Sequence, residues 1–181
     1  MTTNTTFRYD PSRKRLNQIQ TWKVLGHLSF IRPVSEPKRV EIFLATLRLL
    51  ARRIKTPIAE LRWVLKEEGD YINKLFHLHF LLDGSNIPNK DAAKLAAAFG
   101  TLWEKVGGGN HDVRPYAIEL DRHGYQRAVN YVTKVESYRV PFSPFFNAGE
   151  NCHLKFSDAM DRHIAAVCNA DTTQNQKDNH E

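Results

Sequence analysis

Leu75-Phe76-His77-Leu78-His79-Phe80-Leu81-Leu82 is the stretch that decides how this chain folds. Successive side chains of a strand point to opposite faces, so Phe76, Leu78, Phe80 and Leu82 share one face while His77 and His79 share the other. An apolar side this complete belongs to a central strand packed under helices. It leaves both imidazoles on the opposite face.

The segment just before it alternates in the same way. Leu61, Trp63 and Leu65 stand against Arg62, Val64 and Lys66, and Gly69, Asp70 and Asn73 lie between the two runs, so the pair reads as a hairpin. Further out, Trp22 to Ile31 reads as a strand. Ser35 and Pro37 then open a helix that keeps Val40, Phe43, Leu44, Leu47, Leu50, Ala51 and Ile54 on one face until Pro57. Beyond the hairpin, Asn89 is a candidate cap for a second helix with Leu95, Ala96, Phe99, Leu102 and Val106 inward, ended by Gly107, Gly108 and Gly109. Asp112 to Leu120 reads as a fourth strand and Tyr125 to Val135 as a third helix. The order β-α-β-β-α-β, then α, predicts an α+β ferredoxin-like split βαβ: an antiparallel sheet with helices on one face and the other face left free for a functional site.

The bulk properties fit one catalytic domain. At 181 residues with 41% hydrophobic content the chain can bury one sizeable core. We expect a flexible basic tail over 1–20 (Arg13, Lys14, Arg15), a domain over 21–168 with an extension from about 136, and a polar disordered tail over 169–181. The excess of Lys and Arg (26) over Asp and Glu (20) suits a polyanionic partner. Cys152 and Cys168 are too few for a disulfide framework, and no signal-like start is present, which predicts an intracellular setting, cytoplasmic in a prokaryotic host. No segment approaches the roughly 18 consecutive apolar residues of a membrane span.

Two imidazoles side by side suit a divalent ion, and a carboxylate from the neighbouring strand would complete a site for Mg²⁺ or Mn²⁺. Glu68 has the parity for it, on the face of Val64 and Lys66; Glu67 would need a bulge. Without an ion, His77 and His79 would be two half-buried histidines with ordinary hydrogen bonds. On the third helix Arg127, Tyr131 and Lys134 fall at i, i+4 and i+7, placing a phenol between two cations. A tyrosine hydroxyl titrates near pH 10 and needs such help to attack phosphorus.

Taken together, His77-Leu78-His79 in an apolar strand and, about fifty residues on, Ala128-Val129-Asn130-Tyr131-Val132-Thr133-Lys134 resemble the rolling-circle replication initiators, the Rep branch of the HUH endonucleases. Tyr131 and Lys134 match the family's Tyr-x-x-Lys motif, His77 and His79 its histidine motif, and Glu68 its upstream acidic ligand. Gly26-His27-Leu28-Ser29-Phe30 is a loose match to its polar first strand.

The resemblance implies a site-specific single-stranded DNA endonuclease and strand transferase acting at an origin or hairpin. Tyr131 would be the nucleophile and Lys134 a charge stabiliser, with the ion on His77, His79 and Glu68 and with Arg127 and Asn130 touching DNA. The products would be a 5′-phosphotyrosine and a free 3′-hydroxyl. Tyr125 and Tyr138 match no paired motif, so a single-tyrosine enzyme is expected. No Gly-rich Lys-Ser/Thr loop is present, so unwinding would need a separate helicase.

Two other readings compete. A single-tyrosine insertion-sequence-type transposase shares the chemistry but more often carries Gln after the tyrosine, where this chain has Lys134. A non-catalytic nucleic-acid-binding module would set stacking aromatics on its central strands, where this chain sets His77 and His79. Cys152, His153, His163 and Cys168 are zinc-ligand types, but their spacing matches no zinc pattern.

Overall fold

A computed structural model describes residues 8–70, 75–88, 91–135 and 153–177. In chain order they form β1 (Arg8–Tyr9), α1 (Arg13–Gln18), β2 (Trp22–Ser29), α2 (Glu36–Ile54), β3 (Trp63–Asp70), β4 (Leu75–Asp83), α3 (Ala92–Lys105), β5 (His111–Pro115), α4 (Arg127–Thr133), β6 (Lys134–Val135), β7 (His153–Phe156) and α5 (Asp158–Lys177). One short 3₁₀ turn, Ile58–Glu60, links α2 to β3.

The main sheet runs β5-β2-β4-β3-β7, antiparallel throughout. Strands β2, β3, β4 and β5 with crossover helices α2 and α3 are consistent with the ferredoxin-like α+β arrangement, and β7 adds an edge strand beside β3. Alternation decides the layers. Val24 and Leu28 of β2, Trp63 and Leu65 of β3, and Leu78, Phe80 and Leu82 of β4 form one core with Phe43, Leu47 and Leu50 of α2 and Leu95, Phe99 and Trp103 of α3. Phe80 stacks on Phe99 at 4.4 Å between ring centroids, and a Cβ on its cross-strand neighbour Gly26 would fall 1.9 Å from the Phe80 ring. Only glycine leaves room for that ring.

The opposite face is half covered, which corrects the expectation of helices on one face alone. Leu16 and Ile19, with Val129 and Val132 of α4 and Met160 and Ile164 of α5, bury Trp22, Val64 and Leu81 in a second cluster. The basic stretch read as part of a flexible tail is therefore structured from residue 8 onward. Leu16 and Ile19, three apart, were too few to register as a periodic pattern, yet both are buried. Likewise α5 continues to Lys177, into the stretch over 169–181 expected as a polar disordered tail.

Several boundaries differ from expectation. Asp91, not Asn89, caps α3, its side chain accepting from the Lys94 N–H; Asn89 itself lies outside the described residues. β5 ends at Pro115, short of Leu120: after a last bond to β2, from the Tyr116 N–H to the Lys23 carbonyl, the chain leaves the sheet and turns at Asp121, whose carboxylate accepts from the N–H groups of His123 and Tyr125. α4 begins at Arg127, not Tyr125, since buried Gln126 is extended and binds Asn17 and Tyr116. It stops at Thr133: Asp10 donates to the Thr133 carbonyl and Lys134 pairs with Tyr9, so the small β1-β6 ladder takes over the chain. Among the described residues no helix is long and apolar enough to cross a membrane.

Candidate metal and nucleophile site

Antiparallel register lines the uncovered part of the second face in rows. Asp112, His27, His79 and Lys66 sit opposite one another across β5, β2, β4 and β3, and Ser29, His77 and Glu68 form the next row. Paired residues in register point to the same face. His27, His77 and His79 consequently converge, each with a ring nitrogen within 4.8 Å of the others, and this cluster can hold a metal ion. His27 stacks on His79 at 4.7 Å, and His77 meets both rings edge-on at 4.9 Å.

Glu68 lies on this face. Its Oε2 is 3.3 Å from His79 Nε2, 3.7 Å from His77 Nε2 and 3.2 Å from Lys66 Nζ. Glu67 has the opposite parity and is committed to the helix side, accepting from Arg39 Nε at 2.9 Å and from Lys155. Glu67→Gln is expected to lower stability by about 3 kcal/mol, since it strips a buried guanidinium of its counter-charge, while leaving cation affinity unchanged. Glu68→Gln is expected to weaken cation binding instead. Thermal melts with and without Mn²⁺ read both effects.

Burial, and then the neighbouring His79 and His77, push the His27 pKa below its usual 6.5. Burial also lowers that of His79, aided by His77; the Glu68 carboxylate opposes the shift without overcoming it. Both rings are therefore held neutral, the form that lends a lone pair to a cation. His79 Nε2 is buried and faces the Glu68 carboxylate at 3.3 Å, so an imidazole nitrogen and a carboxylate oxygen of the kinds that ligate a divalent ion stand side by side. The donor set fits an ion.

A depressed histidine pKa means that the unfolded chain takes up protons first as pH falls through 6.5, so folding free energy is retained above that value and lost below it. The metal-free protein is expected to hold its melting temperature from pH 8 to 7 and lose it steadily from 6.5 to 5. A level profile through that window would contradict the assignment of two neutral rings in this cluster.

Tyr131 projects from α4 beside the cluster. Its ring meets His79 edge-on at 4.7 Å between centroids, and it remains 48% exposed, open to a large substrate. Lys66, only 1% exposed, lies under it, with Nζ 5.7 Å from the ring centroid and 3.5 Å from the Tyr131 carbonyl oxygen. Lys134, expected on the same helical face, is instead extended (φ −65°, ψ 125°) and opens β6. Arg127 is exposed and, with Arg114, Glu119 and Tyr131, lines a cavity of about 540 Å³ that reaches His27 and His79.

Asn130 is used internally, accepting from Arg13 Nε at 2.6 Å and donating to Asp121 at 2.6 Å, so it braces α1 and α4. Arg13 also lies over the Tyr125 ring at 3.9 Å. Tyr138 and Cys152 fall outside the described residues, as do the side chains of His153 and Cys168, and His163 Nδ1 contacts Arg62 at 3.2 Å.

His27 and Lys66 were not singled out from the sequence. Alternation places each on the right face, but only the register joins His27 to His79 and Lys66 to Glu68. Comparison with known protein families, curated proteins and solved structures finds no match.

Proposed function

We propose that the protein is a single-tyrosine, metal-dependent endonuclease of the HUH type that nicks single-stranded DNA and stays attached to the 5′ end it creates. The observation that carries this reading is the juxtaposition of an exposed Tyr131 with three converging histidines and a buried carboxylate. That arrangement pairs a nucleophile with a phosphate-orienting site. His27, His77 and His79 would hold the ion, with Glu68 as a further oxygen donor. Of the two hard cations expected, the imidazole-rich set favours Mn²⁺ over Mg²⁺. When bound, the cation supplies positive charge to the non-bridging oxygens of the scissile phosphate.

The chain's own groups account for the rest. His79 supports the Tyr131 ring from one side, and the Lys66 ammonium lies near enough to favour negative charge developing on the phenol. Lys66 also offsets the buried Glu68 carboxylate, which limits how strongly the site attracts a second cation. Arg114 and Arg127 line the adjoining cavity beside Asp112 and Glu119, and they are the groups there that would meet backbone phosphates. Because the phosphodiester energy is conserved in the phosphotyrosine, the same site can rejoin a strand by the reverse reaction.

A pool of single-stranded oligonucleotides, incubated with the protein and Mn²⁺, is expected to yield a species of retarded mobility on a denaturing gel that EDTA prevents. Relaxed duplexes should give far less product, because a tyrosine beside a sheet cannot align with a stacked, paired backbone. Binding should weaken as salt rises. Equal cutting of duplex and single strand would refute the substrate assignment; DNA binding with no adduct would favour a non-catalytic binding module.

A further inference from the structure

Among the described residues, two cavities open onto the histidine cluster and share His27 in their lining. The first contains His79 and Tyr131. The second, about 230 Å³, lies at the His77 end and is walled by Phe30, Ile31, Pro33 and Phe76, with the exposed Arg32 beside them. We propose that this second cavity seats the base of the nucleotide immediately 5′ of the scissile phosphate in single-stranded DNA, the one that leaves with a free 3′-hydroxyl. The proposal rests on the nicking reading above and adds to it the direction in which the strand crosses the site.

The direction follows from bond geometry. In the displacement, the Tyr131 phenol oxygen bonds to phosphorus as its proton passes to water, while the P–O3′ bond breaks and the departing 3′-oxygen takes up a proton from water, so the proton count is unchanged. Entering and leaving oxygens lie in line on opposite sides of phosphorus. Tyr131 packs at the His79 end of the cluster, so the leaving oxygen and its nucleotide exit toward the His77 end, where the second cavity lies. The nucleotide retained on Tyr131 stays with the first cavity and its Arg114 and Arg127.

The second cavity has the chemistry for a base. Apolar side chains receive the flat face of any base, and a nearby cation suits the phosphate that follows it. Ile31 is 80% exposed, an apolar side chain that a seated base would cover. Its setting is preformed. Phe30 meets Trp103 edge-on at 5.3 Å, the Arg39 guanidinium lies over the Phe76 ring at 4.0 Å, and the Gly109 N–H donates to the Ser29 carbonyl at 2.8 Å. A Cβ at Gly109 would come 2.8 Å from the Ile31 nitrogen, so this close clamp needs glycine.

The test takes a strand that the wild-type protein cuts and replaces single nucleotides by abasic sites on either side of the cut. Wild type is expected to lose about tenfold in cleavage rate when the base 5′ of the cut is missing. Ile31→Ala should show a similar loss on the intact strand and little further loss on that abasic strand, because both changes delete the same contact. Arg114→Ala should combine independently with the 5′ abasic site. Additive losses for Ile31→Ala, or non-additive ones for Arg114→Ala with the 5′ abasic strand, would overturn the seat while leaving the nicking reading intact. Failure of wild type to cut any strand in the pool would overturn both, and that is read before any variant is compared.

Discussion

Tyr131→Phe is expected to abolish nicking and covalent attachment, by roughly 10⁴-fold or more, while DNA and Mn²⁺ binding stay nearly unchanged. The substitution removes one oxygen. The ring that packs on His79 at 4.7 Å remains, as does the helix that presents it, so neither the histidine cluster nor the adjoining cavity is disturbed. Tyr125→Phe, beneath the Arg13 guanidinium, should still cut. Rates from single-turnover assays and affinities from fluorescence anisotropy separate the two quantities. Residual adduct formation by Tyr131→Phe would assign the chemistry to another group.

His79→Ala is expected to cut Mn²⁺ affinity by at least about 100-fold and to halt cleavage, because groups that merely orient metal ligands already account for about 10–100-fold. His79 is the most central of the three rings, in contact with His27, His77 and Tyr131. Since the alanine also opens a gap beneath Tyr131, His77→Ala serves as a second variant at a less buried position, 30% exposed at its side chain. Calorimetric titration and the Mn²⁺-dependent rise in melting temperature should both collapse in either variant. A stabilisation by Mn²⁺ that survives both substitutions would place the cation elsewhere.

Much of the fold could be read from alternation. The run from Leu75 to Leu82 and the preceding Trp63, Leu65 pattern separate the two faces of the sheet, and the helical spacing from Val40 to Ile54 supplies the cover for one of them. What escaped were features set by partners distant in sequence. Leu16 and Ile19 look like isolated apolar residues until Val129, Val132, Met160 and Ile164 enclose them. Lys134 falls at helical spacing from Tyr131, but β1 captures its backbone, an event no local pattern announces.

The candidate site was legible to the same degree. Parity put Glu68 with the histidines and Glu67 with the helices, where Arg39 and Lys155 meet it. His27 and Lys66 were on the correct faces of their own strands, but nothing in those strands gives the register that sets one beside His79 and the other beside Glu68. Asn130 shows the converse: a polar residue beside the tyrosine whose contacts are spent within the fold.

The central claim is that Tyr131 attacks a DNA phosphate, and peptide mapping of the trapped protein–DNA adduct by mass spectrometry tests it most directly. The expected result is one peptide spanning Tyr131 that carries a nucleotide through its 5′ phosphate, formed with Mn²⁺ and absent with EDTA. A nucleotide linked to any other residue, or no adduct on any single strand in the pool, would contradict it.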